Sequence, residues 1–127
     1  MTYDNESIVR NFLAEWDAPQ PDAAKLGAYF TDDAIYHNMP VVEPVKGRPA
    51  IEQTLGGMTE RLPSKGWETI HLVVDGDVVL TERIDRFEAG GKPIEIEVMG
   101  TFELRDGKIA AWRDYFDMGR FREQMGG

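Results

Sequence analysis

Hydrophobic residues in the first half of the chain recur every three or four positions, which is the spacing of one face of an α-helix. Two stripes follow this rule, namely Ile8, Val9, Phe12, Leu13 and Trp16, and then Ile51, Leu55, Met58 and Leu62. The first helix has Asp4 or Asn5 as its cap, and the second is predicted from Arg48 to about Leu62. Each helix therefore has an apolar face that must pack against another part of the molecule.

Proline interrupts the chain between these two stripes. Pro21-Asp22 predicts the start of a short helix, because proline fits the first turn of a helix. This helix is expected to place Leu26, Tyr29 and Phe30 on one side.

The second half of the chain alternates between apolar and polar residues, which predicts β-strands. In the segment 93–105 one side is apolar and the other carries mainly glutamate. The apolar side consists of Ile94, Ile96, Val98, Phe102 and Leu104. Hairpin signals at Asp75-Gly76, Gly90-Gly91 and Asp106-Gly107 separate strands predicted near 68–75, 78–88, 93–105 and 108–116.

Helices followed by strands predict an α+β fold, in which the N-terminal helices cover one face of a curved mixed or antiparallel sheet. A strongly curved sheet wrapped over helices makes a cone, and a cone encloses a pocket. The chain has 127 residues, which suits one hydrophobic core, and it contains no repeat or linker. We therefore expect a single domain over 1–127.

Composition narrows the possible partners. The formal net charge is −9, so the phosphate backbone of a nucleic acid and an anionic membrane surface are not expected as partners. The absence of cysteine excludes disulfides, thiolate metal sites and cysteine nucleophiles. No apolar segment is long enough to cross a bilayer, and no N-terminal apolar run follows a basic stretch. We expect a cytoplasmic protein.

Two charged residues occupy one side of the strand near 78–88. Arg83 and Asp85 are two positions apart, so on an extended chain they point the same way as Val79 and Phe87. They form either an exposed ion pair on the sheet surface or part of a buried charged cluster. The opposite side also carries apolar residues, so alternation alone leaves both possibilities open.

Asp114 shares its side of the last strand with Trp112 and Phe116, which are both large and apolar. An isolated carboxylate on such a face is costly, so we expect Asp114 to meet Arg83 and Asp85 and to be compensated there. The alternative is a structural aspartate bonded to backbone amides. Two carboxyl groups around one arginine suit a reaction in which one of them donates a proton and the other accepts one.

Tyr36 and Asn38 are two positions apart in a segment that is expected to be extended, so both should point inward. Together they offer a hydroxyl and an amide that could hold a water molecule while a carboxylate takes its proton. Each alone is usually a satisfied polar group of the core. His37 and His71 show no metal-ligand spacing and are predicted to be structural.

The residues discussed above lie in four strings that together resemble the limonene-1,2-epoxide hydrolase family. The strings are Tyr36-His37-Asn38-Met39-Pro40, Gly47-Arg48 with Ala50 and Glu52-Gln53-Thr54-Leu55, Thr81-Glu82-Arg83-Ile84-Asp85, and Trp112-Arg113-Asp114-Tyr115-Phe116-Asp117. The likeness extends from about Ile8 to Phe121. It implies the cone-shaped α+β fold shared with nuclear transport factor 2 (NTF2), ketosteroid isomerases and polyketide cyclases, and it implies a homodimer and no cofactor or metal.

The resemblance also implies roles for individual residues. Asp114 corresponds to the general base that acts on water, Asp85 to the general acid that protonates the epoxide oxygen, and Arg83 to the bridge between them. Tyr36 and Asn38 match the pair that positions the water. The matching substrate-binding positions are Met58, Leu62, Phe87, Ile96, Val98, Phe116 and Phe121.

The expected function is thus the one-step addition of water to an apolar epoxide, of cyclic terpene type or similar, without a covalent intermediate. Another proton-transfer enzyme of the same fold, such as a ketosteroid isomerase or polyketide cyclase, is an alternative that needs only one carboxylate base. A non-catalytic binder of apolar ligands is a second alternative, and it needs no buried charged cluster.

Overall fold

The computed structural model describes residues 3–41 and 43–126. Its helices are α1 (Asn5–Ala14), α2 (Ala23–Gly27), α3 (Arg48–Arg61) and α4 (Met118–Gln124), with a short 3-10 turn at Glu15–Asp17 after α1. Its strands are β1 (Phe30–Asn38), β2 (Val45–Lys46), β3 (Ser64–Asp75), β4 (Val78–Ala89), β5 (Lys92–Arg105) and β6 (Lys108–Tyr115). The α+β prediction is therefore confirmed.

The six strands form one curved sheet in the order β2-β1-β6-β5-β4-β3. Strands β3 to β6 make the predicted antiparallel meander. Strand β1 instead pairs in parallel with β6, and this pairing aligns Asn38 with Asp114. Alternation shows that a segment is a strand, but it does not show which distant strand it joins, so the sequence left this pairing open.

The predicted helices form, and the structure shows which residues cap and end them. Asp4, not Asn5, caps α1 by accepting a hydrogen bond from the Ser7 backbone N–H at 3.0 Å. The 3-10 turn after α1 carries the apolar stripe on to Trp16, which is fully buried. The short helix opened by Pro21-Asp22 ends at Gly27, and Phe30 belongs to β1, not to that helix.

Alternation along the central strands is confirmed by their burial. In β5 the apolar side from Ile94 to Leu104 is buried, while the glutamates at 95, 97 and 103 are exposed. The concave side of the sheet packs on α1 through an aromatic cluster centred on Phe12, which makes edge contacts with Phe30, Phe102 and Trp112. This cluster forms the floor beneath the charged residues described below.

Two elements were not anticipated from the sequence. The two-residue strand β2 pairs with the outer side of β1, and α4 is capped by Asp117, which accepts from the Gly119 backbone N–H at 2.8 Å. Both are too short for a periodic pattern to reveal. In the part of the chain that the structure describes, none of the helices has the length and apolar character needed to span a membrane.

Candidate active site

Strand β4 presents polar side chains on the side of the sheet that faces the core. Thr81, Arg83 and Asp85 occupy alternate positions of β4, flanked by buried Val79 and Phe87. The register that places them inward is fixed by the apolar residues at either end, because a shift by one residue would expose those residues. The strand therefore buries a charged segment between two apolar anchors.

Arg83 binds both carboxylates. Its Nε donates to Asp85 Oδ1 at 3.0 Å and its Nη2 to Asp85 Oδ2 at 2.8 Å. Its Nη1 donates to Asp114 Oδ1 at 3.2 Å, and Nη2 donates also to Asp114 Oδ2 at 2.8 Å. The guanidinium thus makes a two-pronged contact with each aspartate, which fixes its plane as well as its position. The predicted meeting of the three charges is confirmed.

Burial decides between the two possibilities left open for Arg83 and Asp85. Arg83 is 0% exposed, and Asp85 and Asp114 are each 4% exposed. The alternative of an exposed ion pair is therefore wrong. The guanidinium carbon also lies 5.2 Å from the centre of the Trp67 ring, so an aromatic face covers part of the charge.

Asp114 is held by side chains. Besides Arg83, its Oδ1 accepts from the indole N–H of Trp112 at 2.7 Å. Trp112 is itself fixed by ring stacking on Tyr36, with 4.3 Å between the ring centres. Asp114 therefore faces three donated hydrogen bonds, which suit a charged carboxylate.

The two aspartates and Arg83 share charge in a place from which water is largely excluded. Burial raises the pKa of Asp85 to about 6, and the negative charge of Asp114 adds to this, whereas Arg83 opposes it. Burial lowers the pKa of Arg83, but the charges of Asp114 and Asp85 outweigh it and hold that pKa above its ordinary value. The arginine stays charged while Asp85 is able to carry a proton near neutral pH.

Tyr36 and Asn38 lie beside this cluster on β1. Tyr36 is buried, Asn38 is half-buried, and the Tyr36 hydroxyl donates to Asn38 Oδ1 at 3.1 Å. Burial and the nearby charge of Asp114 raise the pKa of Tyr36 above its ordinary value, so the hydroxyl remains protonated. Because Asn38 is the register partner of Asp114, the pair stands directly next to that carboxylate.

These groups open onto a cavity of about 200 Å³. Four polar residues contribute to its wall, namely Tyr36, Asn38, Asp85 and Asp114. The apolar part of the wall consists of Val41, Met58, Leu62, Trp67, Phe87, Ile96, Val98, Phe116, Met118 and Phe121. All seven substrate-binding positions implied by the resemblance lie in this wall. Arg83 does not line the cavity; it lies behind the two aspartates.

The histidines lie apart from the cluster. One ring nitrogen of His37 is 2.7 Å from the Val41 carbonyl oxygen, and one of His71 is 2.9 Å from a Glu82 carboxylate oxygen. Across residues 3–41 and 43–126, no three histidine, aspartate or glutamate side chains come together in a way that could hold a metal ion.

Several residues of the site were missed by sequence reasoning. Trp67 covers Arg83, Thr81 accepts a hydrogen bond from Arg83 Nη1 at 3.0 Å, and Gly100 lies against both Arg83 and Asp114. Thr81 could have been found, since it shares the parity of Arg83 and Asp85. Trp67 and Gly100 lie on other strands, and only the register of the sheet brings them here.

Comparison with known proteins identifies the family of this chain. The profile of the SnoaL-like domain matches residues 9–112. The chain is 38% identical over 110 residues to the epoxide hydrolase EphG of Mycobacterium tuberculosis (strain ATCC 25618 / H37Rv), covering 85% of this chain and 68% of that protein.

The chain also resembles solved structures. The structure of an M. tuberculosis LEH-like epoxide hydrolase superposes with a TM-score of 0.80 and 29% identity, over 94% of this chain and 87% of that one. A protein of ketosteroid isomerase-like fold from Catenulispora acidiphila DSM 44928 has a TM-score of 0.84 at 20% identity, over 98% and 95% of the two chains, which shows the shared NTF2-like fold alone. The chain belongs to the SnoaL-like domain family and, within it, to the limonene-1,2-epoxide hydrolase family.

Proposed function

We propose that this protein hydrolyses an apolar epoxide to a vicinal diol in one step, by general acid–base catalysis. The observation that carries the proposal is the buried arginine that binds two carboxylates, both of which face an apolar cavity. Opening an epoxide requires a proton on the leaving oxygen and a nucleophile at carbon, so one protonated and one charged carboxyl group are needed together.

Tyr36 and Asn38 are suited to hold the attacking water. The Tyr36 hydroxyl gives its hydrogen to Asn38 Oδ1, so its oxygen can accept one hydrogen of the water and the Asn38 side-chain N–H can donate to the water oxygen. Asp114 takes the second hydrogen as base. The water oxygen then has one lone pair left, and this is the pair that attacks the epoxide carbon.

Asp85 is the proposed acid. Its raised pKa of about 6 lets a fraction of the molecules carry the proton near neutral pH, and it lines the same cavity as Asp114. During the reaction Asp85 gives its proton to the epoxide oxygen while Asp114 gains one from water. The summed charge of Asp85, Asp114 and Arg83 is therefore the same before and after the step. The site is restored when a proton passes back from Asp114 to Asp85.

The direct attack of water is tested by a single turnover in heavy-oxygen water. We expect the label to enter the diol on the first turnover, because the base acts on water and neither aspartate forms a bond to carbon. An ester route would instead give an unlabelled diol first and leave the label in Asp85 or Asp114. Mass spectrometry of the diol and of the digested protein separates the two outcomes.

The cavity wall sets the substrate class. The rest of the wall is apolar, and Arg83 is concealed behind the aspartates. Among the described residues no lysine or arginine side chain lines the wall, whereas two carboxylates do, so the cavity disfavours an anion. We expect turnover of neutral apolar epoxides in a panel from cyclic terpene to aliphatic and aryl compounds. A phosphorylated epoxide should not be turned over, and equal rates for it and its neutral analogue would contradict the proposed substrate class.

The epoxide panel, extended by a ketosteroid-type substrate, also tests the alternative functions. A proton-transfer isomerase or cyclase needs one charged carboxylate as base, whereas Arg83 here binds two carboxylates equally closely. Turnover of a ketosteroid-type substrate together with inertness toward every epoxide would replace the hydrolase proposal. Binding without any turnover would favour a ligand carrier.

We also propose that the protein is a homodimer through the outer face of the sheet. Met99 and Tyr115 face each other across β5 and β6 and are 53% and 46% exposed there. Thr101 and Ala111 lie further along the same two strands and are half-buried. Pairing of this face with its own copy would cover the apolar side chains. A monomer in sedimentation at micromolar concentration would contradict this assembly.

A further inference from the structure

Arg83 has five N–H groups and five hydrogen bonds, and only one of these bonds goes to an uncharged residue. Nε and Nη2 serve the two aspartates, and Nη1 is divided between Asp114 and the Thr81 hydroxyl. Since Arg83 is fully buried, no water reaches an N–H that loses its partner. The threonine therefore completes the hydrogen bonding of the guanidinium.

Thr81 is oriented for this task by the neighbouring strand. Its hydroxyl hydrogen points to the Gly100 carbonyl oxygen, 3.4 Å away, which leaves the oxygen lone pairs for Arg83 Nη1. Thr81 is 1% exposed and does not line the cavity. It can affect substrate only through Arg83 and the aspartates.

Gly100 supplies the space that Arg83 needs to cross β5. The sheet register aligns Thr81, Gly100 and Asp114 across β4, β5 and β6. A Cβ atom at position 100 would lie 2.6 Å from Asp114 Oδ1 and 3.0 Å from the Thr81 hydroxyl oxygen, and closer still to Arg83 Nη1. The glycine is required here by close approach, because any side chain would occupy the place of the guanidinium.

We propose that Thr81 and Gly100 are positioning residues that hold Arg83 in contact with both aspartates. Without the hydroxyl, the guanidinium must rotate to find another acceptor, and this breaks the paired contact with Asp114 or with Asp85. This inference rests on the proposed hydrolase function for its kinetic consequences, but its geometric part stands on the hydrogen bonds alone.

The kinetic test compares Thr81→Val, which keeps the shape and removes the hydroxyl, with Thr81→Ser, which keeps the hydroxyl. On an epoxide from the panel we expect Thr81→Val to lower kcat by roughly ten- to a hundredfold, the scale of one lost bond to a charged group, and to change KM by less than about threefold. Its pH–rate profile should move, since the aspartates then face a displaced charge. Thr81→Ser should stay within about threefold of the wild type.

Thr59→Val is the matched control. Thr59 is also buried, at 2% exposure, but among the described residues its hydroxyl bonds to carbonyls of its own helix alone, those of Leu55 and Gly56. This variant should lose a buried hydroxyl without changing kcat or the pH–rate profile. Equal losses in Thr81→Val and Thr81→Ser would show that packing, not the hydroxyl, matters at position 81, and would overturn the proposal.

A second measurement requires no catalysis. The NMR signals of the Arg83 Nε–H and of the aspartate carboxyl carbons, followed with pH, should differ from the wild type in Thr81→Val and not in Thr81→Ser or Thr59→Val. If no epoxide is hydrolysed by the wild type, the proposed function fails while these signals still decide the positioning role. Unchanged signals in Thr81→Val would overturn it. Full activity of Gly100→Ala would refute the part assigned to Gly100.

Discussion

Strand β4 carries two arginines three residues apart, and each lies between two carboxylates. Arg83 binds Asp85 and Asp114 on the inner side of the sheet. Arg86 binds Glu68 and Glu95 on the outer side, at 3.0 and 2.8 Å. The distances are nearly the same, yet the Arg83 side chain is 0% exposed and that of Arg86 is 34% exposed. Composition and spacing therefore do not separate the two clusters, and burial does.

Burial changes the chemistry because water no longer screens or solvates the charges. An exposed ion pair contributes about 0–1 kcal/mol, since water competes for both partners. In the inner cluster each charge depends on the others, so removing one partner leaves a buried charge without compensation. The outer cluster keeps its carboxylates solvated, whereas the inner one holds a carboxyl group that can be protonated at neutral pH.

The largest expected difference follows from neutralising one carboxylate in each cluster. Asp85→Asn and Asp114→Asn should each abolish most epoxide hydrolysis, because each removes half of a coupled proton exchange, and the double variant should be scarcely worse than either. Glu68→Gln removes an equivalent partner from Arg86 and should leave kcat/KM within about twofold. Independent, additive losses at Asp85 and Asp114 would contradict their action as a unit.

Replacing the arginines comes next in size. Arg83→Lys should lower kcat by about 10² or more with the fold retained, because an ammonium group cannot make a two-pronged contact with both aspartates. Arg86→Lys should have little effect, since its carboxylates remain in contact with water. Circular dichroism and initial rates on the same epoxide check both variants. Near wild-type activity of Arg83→Lys would mean that the guanidinium geometry does not serve catalysis.

These two clusters also show which parts of the fold and of the site could be predicted from the sequence alone. The alternation of apolar residues predicted β3 to β6 and placed Arg83 on the same side of its strand as Val79 and Phe87, but it did not show that this side is the buried one. The meeting with Asp114 was predicted from the cost of burying a lone charge. Local patterns cannot specify contacts across strands, which is why the parallel pairing of β1 and the parts played by Trp67 and Gly100 emerged only from the sheet register.

The pH dependence of stability should distinguish the clusters by a smaller amount. The folded-state pKa of Asp85 is about 6, above its ordinary value of 3.8, so this group stabilises the folded state fully below pH 3.8 and loses that contribution as pH rises through 6. A shift of this size corresponds to roughly 3 kcal/mol at most. The difference in unfolding free energy, Asp85→Asn minus wild type, should therefore increase from pH 4.5 to 7.5.

Urea unfolding at a series of pH values measures this difference, with Glu68→Gln as the control. Glu68 belongs to the exposed cluster, so its substitution should leave the slope of unfolding free energy against pH close to that of the wild type. A flat difference for Asp85→Asn would mean that Asp85 titrates alike in the folded and unfolded chains, and the proposed acid would then lack its proton at neutral pH.

The smallest expected effect concerns salt. Arg86→Met removes the ion pairs of the outer cluster but keeps much of the apolar part of the side chain, so it should lower the unfolding free energy by less than about 1 kcal/mol. This loss should become smaller between low salt and ~0.5 M salt, because salt already screens the ion pairs of the wild type. The matched substitution Arg83→Met leaves two buried carboxylates side by side, so its loss should be several kcal/mol (~3–5) and nearly independent of salt. Solvent ions are expected to reach the outer cluster and not the inner one. A strong salt dependence of the stability loss in Arg83→Met would therefore imply that water enters the inner cluster.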